Sequence, residues 1–193
     1  MAGTDLKLIE LEFTDSTNNY AMQLINDDKA QPGTMIVARS QGGGKGQRGR
    51  KWTDTPGESL LMSVIVAPKQ QLTEQFVFSA SVAVAIANVL QNMAGDIPVA
   101  IKWPNDIIIN DKKAGGILIE NVLRGSRWTH SVIGFGLNVN QTEFPDDLPN
   151  ATSLYMSTGK TFEINALARQ IGEHILATTL FPKSAQRMME NYN

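Results

Sequence analysis

SQGGGKGQRGRKW, residues 40–52, and KWPNDIIINDKKAGGILIE, residues 102–120, are the two stretches whose reading decides the fold. Each is ordinary alone. A glycine-rich basic loop is commonly a solvated connection, and Pro-Asn-Asp is a turn signal. Together they form a chemical pattern. Glycines let backbone N–H groups approach anionic oxygens, and Lys45, Arg48 and Arg50 bring fixed positive charge to the same loop. Lys113 precedes Gly115-Gly116, where open backbone leaves a long cation room to reach a ligand. Such parts suit a nucleotide triphosphate beside a second anion.

Working outward, the second stretch reads as strand, turn, strand: 97–103 and 107–110 around Pro104-Asn105, then Asn110-Asp111 as a hairpin turn into a strand over 115–123. Gly125-Ser126 turns the chain into a further strand over 128–140. Upstream, 6–13 and 34–40 read as strands separated by a helix over 20–25, with Asp15 or Ser16 at its N-cap. A strand over 57–66 leads to a helix over 73–93, whose expected inward stripe is Phe76, Val77, Ala80, Val84, Ala87 and Leu90. Residues 141–161 read mostly as loop. A helix over 165–181 turns Leu167, Ile171, Ile175 and Leu176 inward, Pro182 breaks it, and 185–192 begins another. Strands in the middle with helices around them give an α+β class with a single mixed β-sheet flanked by helices. No repeat or linker divides the chain, so one domain over 1–193 is expected.

Composition narrows the function classes. The 42% hydrophobic and 19% charged content is that of a globular protein, and a net charge of −2 argues against a general nucleic-acid binder. With 0 cysteines, disulfides, thiolate catalysis and cysteine metal sites are excluded. No metal-like cluster surrounds His130 or His174, and both are read as structural. The N-terminus lacks a basic segment ahead of an apolar one, and no apolar run of membrane-spanning length is seen, so a cytoplasmic protein without membrane or nucleic-acid partners is expected.

Four motifs in order carry a resemblance: Gly44-Lys45-Gly46-Gln47-Arg48-Gly49-Arg50-Lys51-Trp52, Lys102 to Asp106, Lys113 to Glu120, and Gly134-Phe135-Gly136-Leu137-Asn138-Val139-Asn140. The chain resembles the biotin protein ligases, whose catalytic domain has a class II aminoacyl-tRNA synthetase-like fold. It departs at Lys45, where arginine is usual; charge is kept but the bidentate fork is lost. The resemblance implies that ATP, with Mg²⁺, activates biotin as biotinyl-5′-AMP, and that a lysine of a biotin carboxyl carrier protein then takes the biotin. Lys113 is then the cation spanning carboxylate and α-phosphate, and Asp106 the group that orients the acceptor amine; as a bland alternative, Asp106 caps its turn. Biotin contacts fall on Ser16, Thr17, Asn18, Gln41, Lys45, Gly46, Gln47, Trp52, Lys113 and Gly115. Nucleotide contacts fall on Arg48, Arg50, Trp52, Lys102, Asn105 and Asn138, with adenine as the partner of an otherwise costly buried Asn138. The loop 41–52 is expected to be ordered by its anion, since its cations repel one another without one. Some relatives begin with a DNA-binding helix-turn-helix domain and most end in an SH3-like barrel; this chain is expected to be the catalytic domain without either. Homodimerisation stays open.

Three other readings remain: a lipoate or octanoate ligase or transferase, a non-catalytic biotin or biotinyl-adenylate binding module, and an RGG-like RNA-binding segment. The acidic balance and lack of further Arg-Gly-Gly repeats count against the last.

Overall fold

The computed structural model describes residues 6–180, so the helix break at Pro182 and the helix expected over 185–192 lie outside the described residues. The chain runs β1 (Lys7–Leu11), α1 (Thr17–Asn26), β2 (Thr34–Ala38), β3 (Ser59–Val66), α2 (Gln75–Ala94), β4 (Val99–Lys102), β5 (Asp106–Ile109), β6 (Lys112–Arg124), β7 (Arg127–Asn138), α3 (Leu154–Thr158) and α4 (Ile164–Leu180). Seven strands form one mixed sheet in the order β1-β2-β3-β7-β6-β5-β4. Among the described strand pairs β1–β2 is parallel, joined through α1, and the other five are antiparallel. The β5–β6 connection is tight because Asn110 and Asp111 both take positive φ, which these two residue types tolerate better than most.

Helices cover both faces of the sheet. α1 lays Ala21 and Ile25 on Ile36, Ile65 and Val132. The opposite face, with Met35, Leu60, Met62, Val64, Ile133, Phe135 and Leu137, packs against Phe78, Val82, Ile86 and Leu90 of α2 and Leu167, Ile171 and Ile175 of α4. Coverage on both sides explains why all eight residues of β3 are buried and why six of them are apolar without alternation, with Ser59 and Ser63 as the exceptions. The expected inward residues of α4 are all buried.

Two readings are corrected. The buried face of α2 is centred on Phe78, Val82, Ile86 and Leu90, whereas Phe76 is 45% exposed and Val77, Val84 and Ala87 are only partly buried. Phe76 instead meets the exposed Trp103 ring, with centroids 5.1 Å apart. The helical stretch Leu72–Ala94 is 23 residues long and contains an 18-residue span of mean hydropathy 1.5, enough by length and composition to cross a membrane, contrary to expectation. Here half of that span is buried, the helix packing against the sheet and α4. The 141–161 segment is mostly loop, as expected, and within it lies α3, capped by Ser153, whose hydroxyl accepts from the Met156 amide at 3.0 Å.

Candidate active site

A cleft of about 380 Å³ opens on the α1 side of the sheet. Its floor is β3, β7 and β6, its end is the start of α1, and its roof is the basic loop. Three features of the sequence make this hollow.

The first is glycine on neighbouring strands. Gly134 and Gly136 stand two apart on β7, on one face. A Cβ at Gly134 would overlap the Asn18 amide, and one at Gly136 would lie 2.7 Å from Trp52 Cε2. The two glycines thus give space to two side chains from other parts of the chain.

The second is a bulge in β6. Ile107 pairs with Gly115 but Ile108 pairs with Lys113, so Ala114 is an extra residue and the alternation of β6 changes there. Ala114 goes fully into the core, while Lys113, Gly116 and Leu118 line the cleft. The backbone of Lys113 is fixed from the far side: its N–H donates to Asn150 O at 2.8 Å and its carbonyl accepts from Thr152 N at 2.9 Å.

The third is the loop itself, a small hairpin. Gly46 N–H donates to Arg50 O at 2.7 Å and Trp52 N–H to Gly44 O at 2.9 Å, and the tip turns through Arg48 in the left-handed region (φ 55°). Gly44 must be glycine, since a Cβ would lie 2.5 Å from Trp52 O. Trp52 packs its indole over Gly116 and Gly136, and its Nε1 is buried without a hydrogen-bond partner. That donor is an open valence beside the cleft.

At the end of the cleft, Ser16 holds the N-cap position but caps no backbone N–H with its side chain. Asp15 Oδ1 accepts from Ser16 N at 2.7 Å, and Gln41 Oε1 accepts from Thr17 N at 2.7 Å, so these two amides are already engaged. Hydrogen bonding from Asn19 holds the Asp15 carboxyl below its usual range. Asn18 and Thr17 are buried with Ser63, whose Oγ lies 2.6 Å from Asn18 Oδ1 and 2.7 Å from Thr17 Oγ1. Asn18 Nδ2 donates to Glu120 at 2.7 Å.

At the mouth, Lys113 Nζ and Asp106 Oδ1 form an ion pair of 2.7 Å, with their side chains 39% and 21% exposed. The residues expected to have separate roles therefore neutralise one another across β5 and β6. Lys45 donates to Asn19 Oδ1. Arg48, Arg50, Lys51 and Lys102 also line the cleft and make no side-chain hydrogen bond or ion pair among the described residues, which concentrates positive charge there. Unpaired cations around a concave surface attract anions. Asn105 lies at the rim, its amide donating to Ile117 O at 3.2 Å.

Of the residues expected at the site, Ser16, Thr17, Asn18, Gln41, Lys45, Gly46, Gln47, Arg48, Arg50, Trp52, Lys102, Asn105, Asp106 and Lys113 all line this one cleft. Two do not. Gly115 is buried toward the core, where a Cβ would lie 2.9 Å from Gly136 O; the bulge at Ala114 hands its expected place to Gly116. Asn138 lies outside the cleft, and its buried amide is satisfied by donating to Thr152 O at 3.0 Å, so no ligand is needed to explain it. Sequence reasoning left out Ser63, Glu120, Gly134 and Gly136 as site residues. The signals were a Gly-x-Gly inside an apolar strand and a lone carboxylate within another.

The chain is similar to several known proteins. The biotin/lipoate A/B protein ligase family matches residues 10–138. The bifunctional ligase/repressor BirA of Bacillus subtilis is 38% identical over 159 residues, 81% of this chain and 48% of the relative. The biotin–[acetyl-CoA-carboxylase] ligase of Paracoccus denitrificans is 33% identical over 134 residues, 69% of this chain and 54% of the relative. The solved structure of biotin protein ligase from Aquifex aeolicus in complex with biotin and ATP is 29% identical with a TM-score of 0.76, covering 96% of this chain and 76% of that one. The chain thus spans about half the length of the curated relatives it matches.

Proposed function

The chain belongs to the biotin/lipoate A/B protein ligase family, and from that premise we propose that it is an ATP-dependent biotin protein ligase. In this reading biotin is activated as biotinyl-5′-AMP and passed to a lysine of a biotin carboxyl carrier domain, as in an acetyl-CoA carboxylase. The observation that carries the reading is a single cleft with polar groups at its closed end, the Lys113–Asp106 pair at its mouth and unpaired cations above.

In the first step a biotin carboxylate oxygen bonds to the α-phosphorus of ATP, and the bond from that phosphorus to the pyrophosphate oxygen breaks. Two anions must approach, so fixed cations carry most of the catalysis. Lys113 stands where it can turn from Asp106 to the reacting oxygens, while Arg48, Arg50 and Lys102 hold the phosphates. Trp52 and the glycine floor shape the space for the bicyclic ring, and Thr17, Asn18 and Gln41 meet its polar edge. Among the described residues no three His, Cys, Asp or Glu side chains gather to hold a metal; magnesium would come on the phosphates of ATP, where it screens the leaving pyrophosphate.

In the second step the acceptor amine attacks the acyl carbon, AMP leaves with the bonding pair, and the amine proton must go to a base. Asp106, released from Lys113, is the carboxylate at the mouth that orients the amine and receives that proton.

Mass spectrometry after incubation with Mg²⁺ and ATP, plus biotin, lipoate or octanoate in parallel, tests the assignment. Biotinyl-AMP alone is expected. A lipoyl or octanoyl adenylate in its place assigns the chain to the other branch of the family, and binding without any adenylate makes it a binding module.

A further inference from the structure

Asn18 has two chemically opposite ends that are nearly equal in shape, and something must decide which end faces which way. The residue is 3% exposed, boxed in by Gly134, where any Cβ would overlap the amide. One end lies 2.7 Å from Glu120 Oε2 and 3.4 Å from the Leu118 carbonyl, the shorter contact to the carboxylate being the strong one, and the other end lies 2.6 Å from Ser63 Oγ, which is fully buried and also 2.7 Å from Thr17 Oγ1. An ionised carboxylate only accepts hydrogen bonds, so the end facing Glu120 is the NH₂ and the end facing Ser63 is the oxygen. Glu120 also sits beside the first turn of α1, where a negative charge is favoured. Ser63 has one proton for two neighbouring oxygens. Were the amide reversed, Nδ2 would occupy Ser63's lone pairs, its proton would go to Thr17, and Thr17 would turn its own proton into the cleft.

We infer that Glu120 is a positioning residue, which fixes the Asn18 amide and so sets the closed end of the cleft to accept hydrogen bonds from ligand N–H groups. This rests on the biotin reading, since the ureido ring of biotin brings two N–H donors to such an end. The role explains why a carboxylate occurs on β6 in line with Gly116 and Leu118, beneath α1 and away from the reacting groups at the mouth. Glu120 touches no substrate in this account; it acts through Asn18.

The test joins a substrate-independent measurement to kinetics. In the free protein, one Asn18 Nδ2 proton should resonate downfield with slow solvent exchange, and Glu120→Gln should weaken both features, because a neutral amide replaces an acceptor-only carboxylate. In steady-state adenylation, Glu120→Gln should raise KM for biotin about tenfold, the effect of one oriented hydrogen bond, with kcat and KM for ATP little changed. The double change Asn18→Asp/Glu120→Gln reverses the pair and again leaves an acceptor facing Ser63, so it should recover most of the lost biotin affinity. A merely structural role would move all kinetic constants together and allow no such recovery. An unprotected Asn18 amide in the wild type, an unchanged biotin KM in Glu120→Gln, or a folded double variant no better than the single one overturns the inference. If the wild type forms no adenylate with biotin, the ligase reading fails, and the Asn18 resonance still decides the positioning role.

Discussion

Replacing Lys113 by glutamine separates catalysis from stability more cleanly than any other change in this protein. The ammonium is 2.7 Å from Asp106 in a pair whose side chains keep 39% and 21% of their exposure. Ion pairs of this partly exposed kind contribute about 0–1 kcal/mol to stability. The backbone at residue 113 is independently held by Asn150 and Thr152, so the fold should lose little. At the reacting centre the same charge faces two approaching anions, and removal of one preorganised group of this type costs about 10²–10³ in rate, or roughly 2.7–4 kcal/mol. Biotin-dependent exchange of labelled pyrophosphate into ATP reads the first step alone, and thermal unfolding run alongside reads the fold. The expected outcome is a loss of exchange of at least a hundredfold, within the range expected for such a group, and a near-native unfolding temperature. Exchange at the wild-type rate refutes the role given to Lys113, whatever happens to stability.

Asp106→Asn should slow transfer to the acceptor in single-turnover assays more than it slows pyrophosphate exchange; equal losses would remove its assignment to the second step. Gly136→Ala should displace the Trp52 indole, costing about 1–3 kcal/mol by chemical denaturation, as overpacking does, and should weaken biotin binding measured by calorimetry. His130 is held below its ordinary pKa of 6.5 by burial first and by the nearby Arg124 charge second, with Asp28 opposing. The unfolded chain therefore takes up a proton that the folded one resists, so stability is full above 6.5 and falls as pH drops below it. Unfolding curves across that window should flatten in a His130→Phe variant. Hydrogen exchange of amides in residues 42–51 should slow when biotin and ATP are added, as an anion neutralises Arg48, Arg50 and Lys51; identical exchange with and without ligand would mark the hairpin as a preformed cradle.

The strands and their order along the chain were legible because their turns are chemically explicit: Pro104-Asn105, Asn110-Asp111 and Gly125 each stop one strand and start another. The phase of α2 was not. Twenty residues with almost no polar face carry little periodic signal, and only the sheet and α4 decide that Phe78, not Phe76, is the buried ring. The site was legible to the extent that its residues announce chemistry, which is why the basic hairpin and Lys113 are found beside one cleft. Gly115 was misplaced because strand alternation assumes an unbroken register, and the extra residue at Ala114 is a tertiary fact of pairing with β5. Asn138 was misread for a related reason: a buried amide needs a partner, and the partner is the Thr152 carbonyl, fourteen residues on. Ser63 looks like any small residue in an apolar strand until α1 sets Thr17 and Asn18 above it.

Intact-mass measurement of an apo carrier domain, incubated with this chain, biotin, ATP and Mg²⁺, tests the central claim most directly. One biotinyl group on one acceptor lysine, dependent on all three small molecules and lost in Lys113→Gln, is the expected result. An unmodified carrier domain, with the wild-type chain folded and biotin bound, would contradict the claim that this cleft makes and transfers an activated biotin.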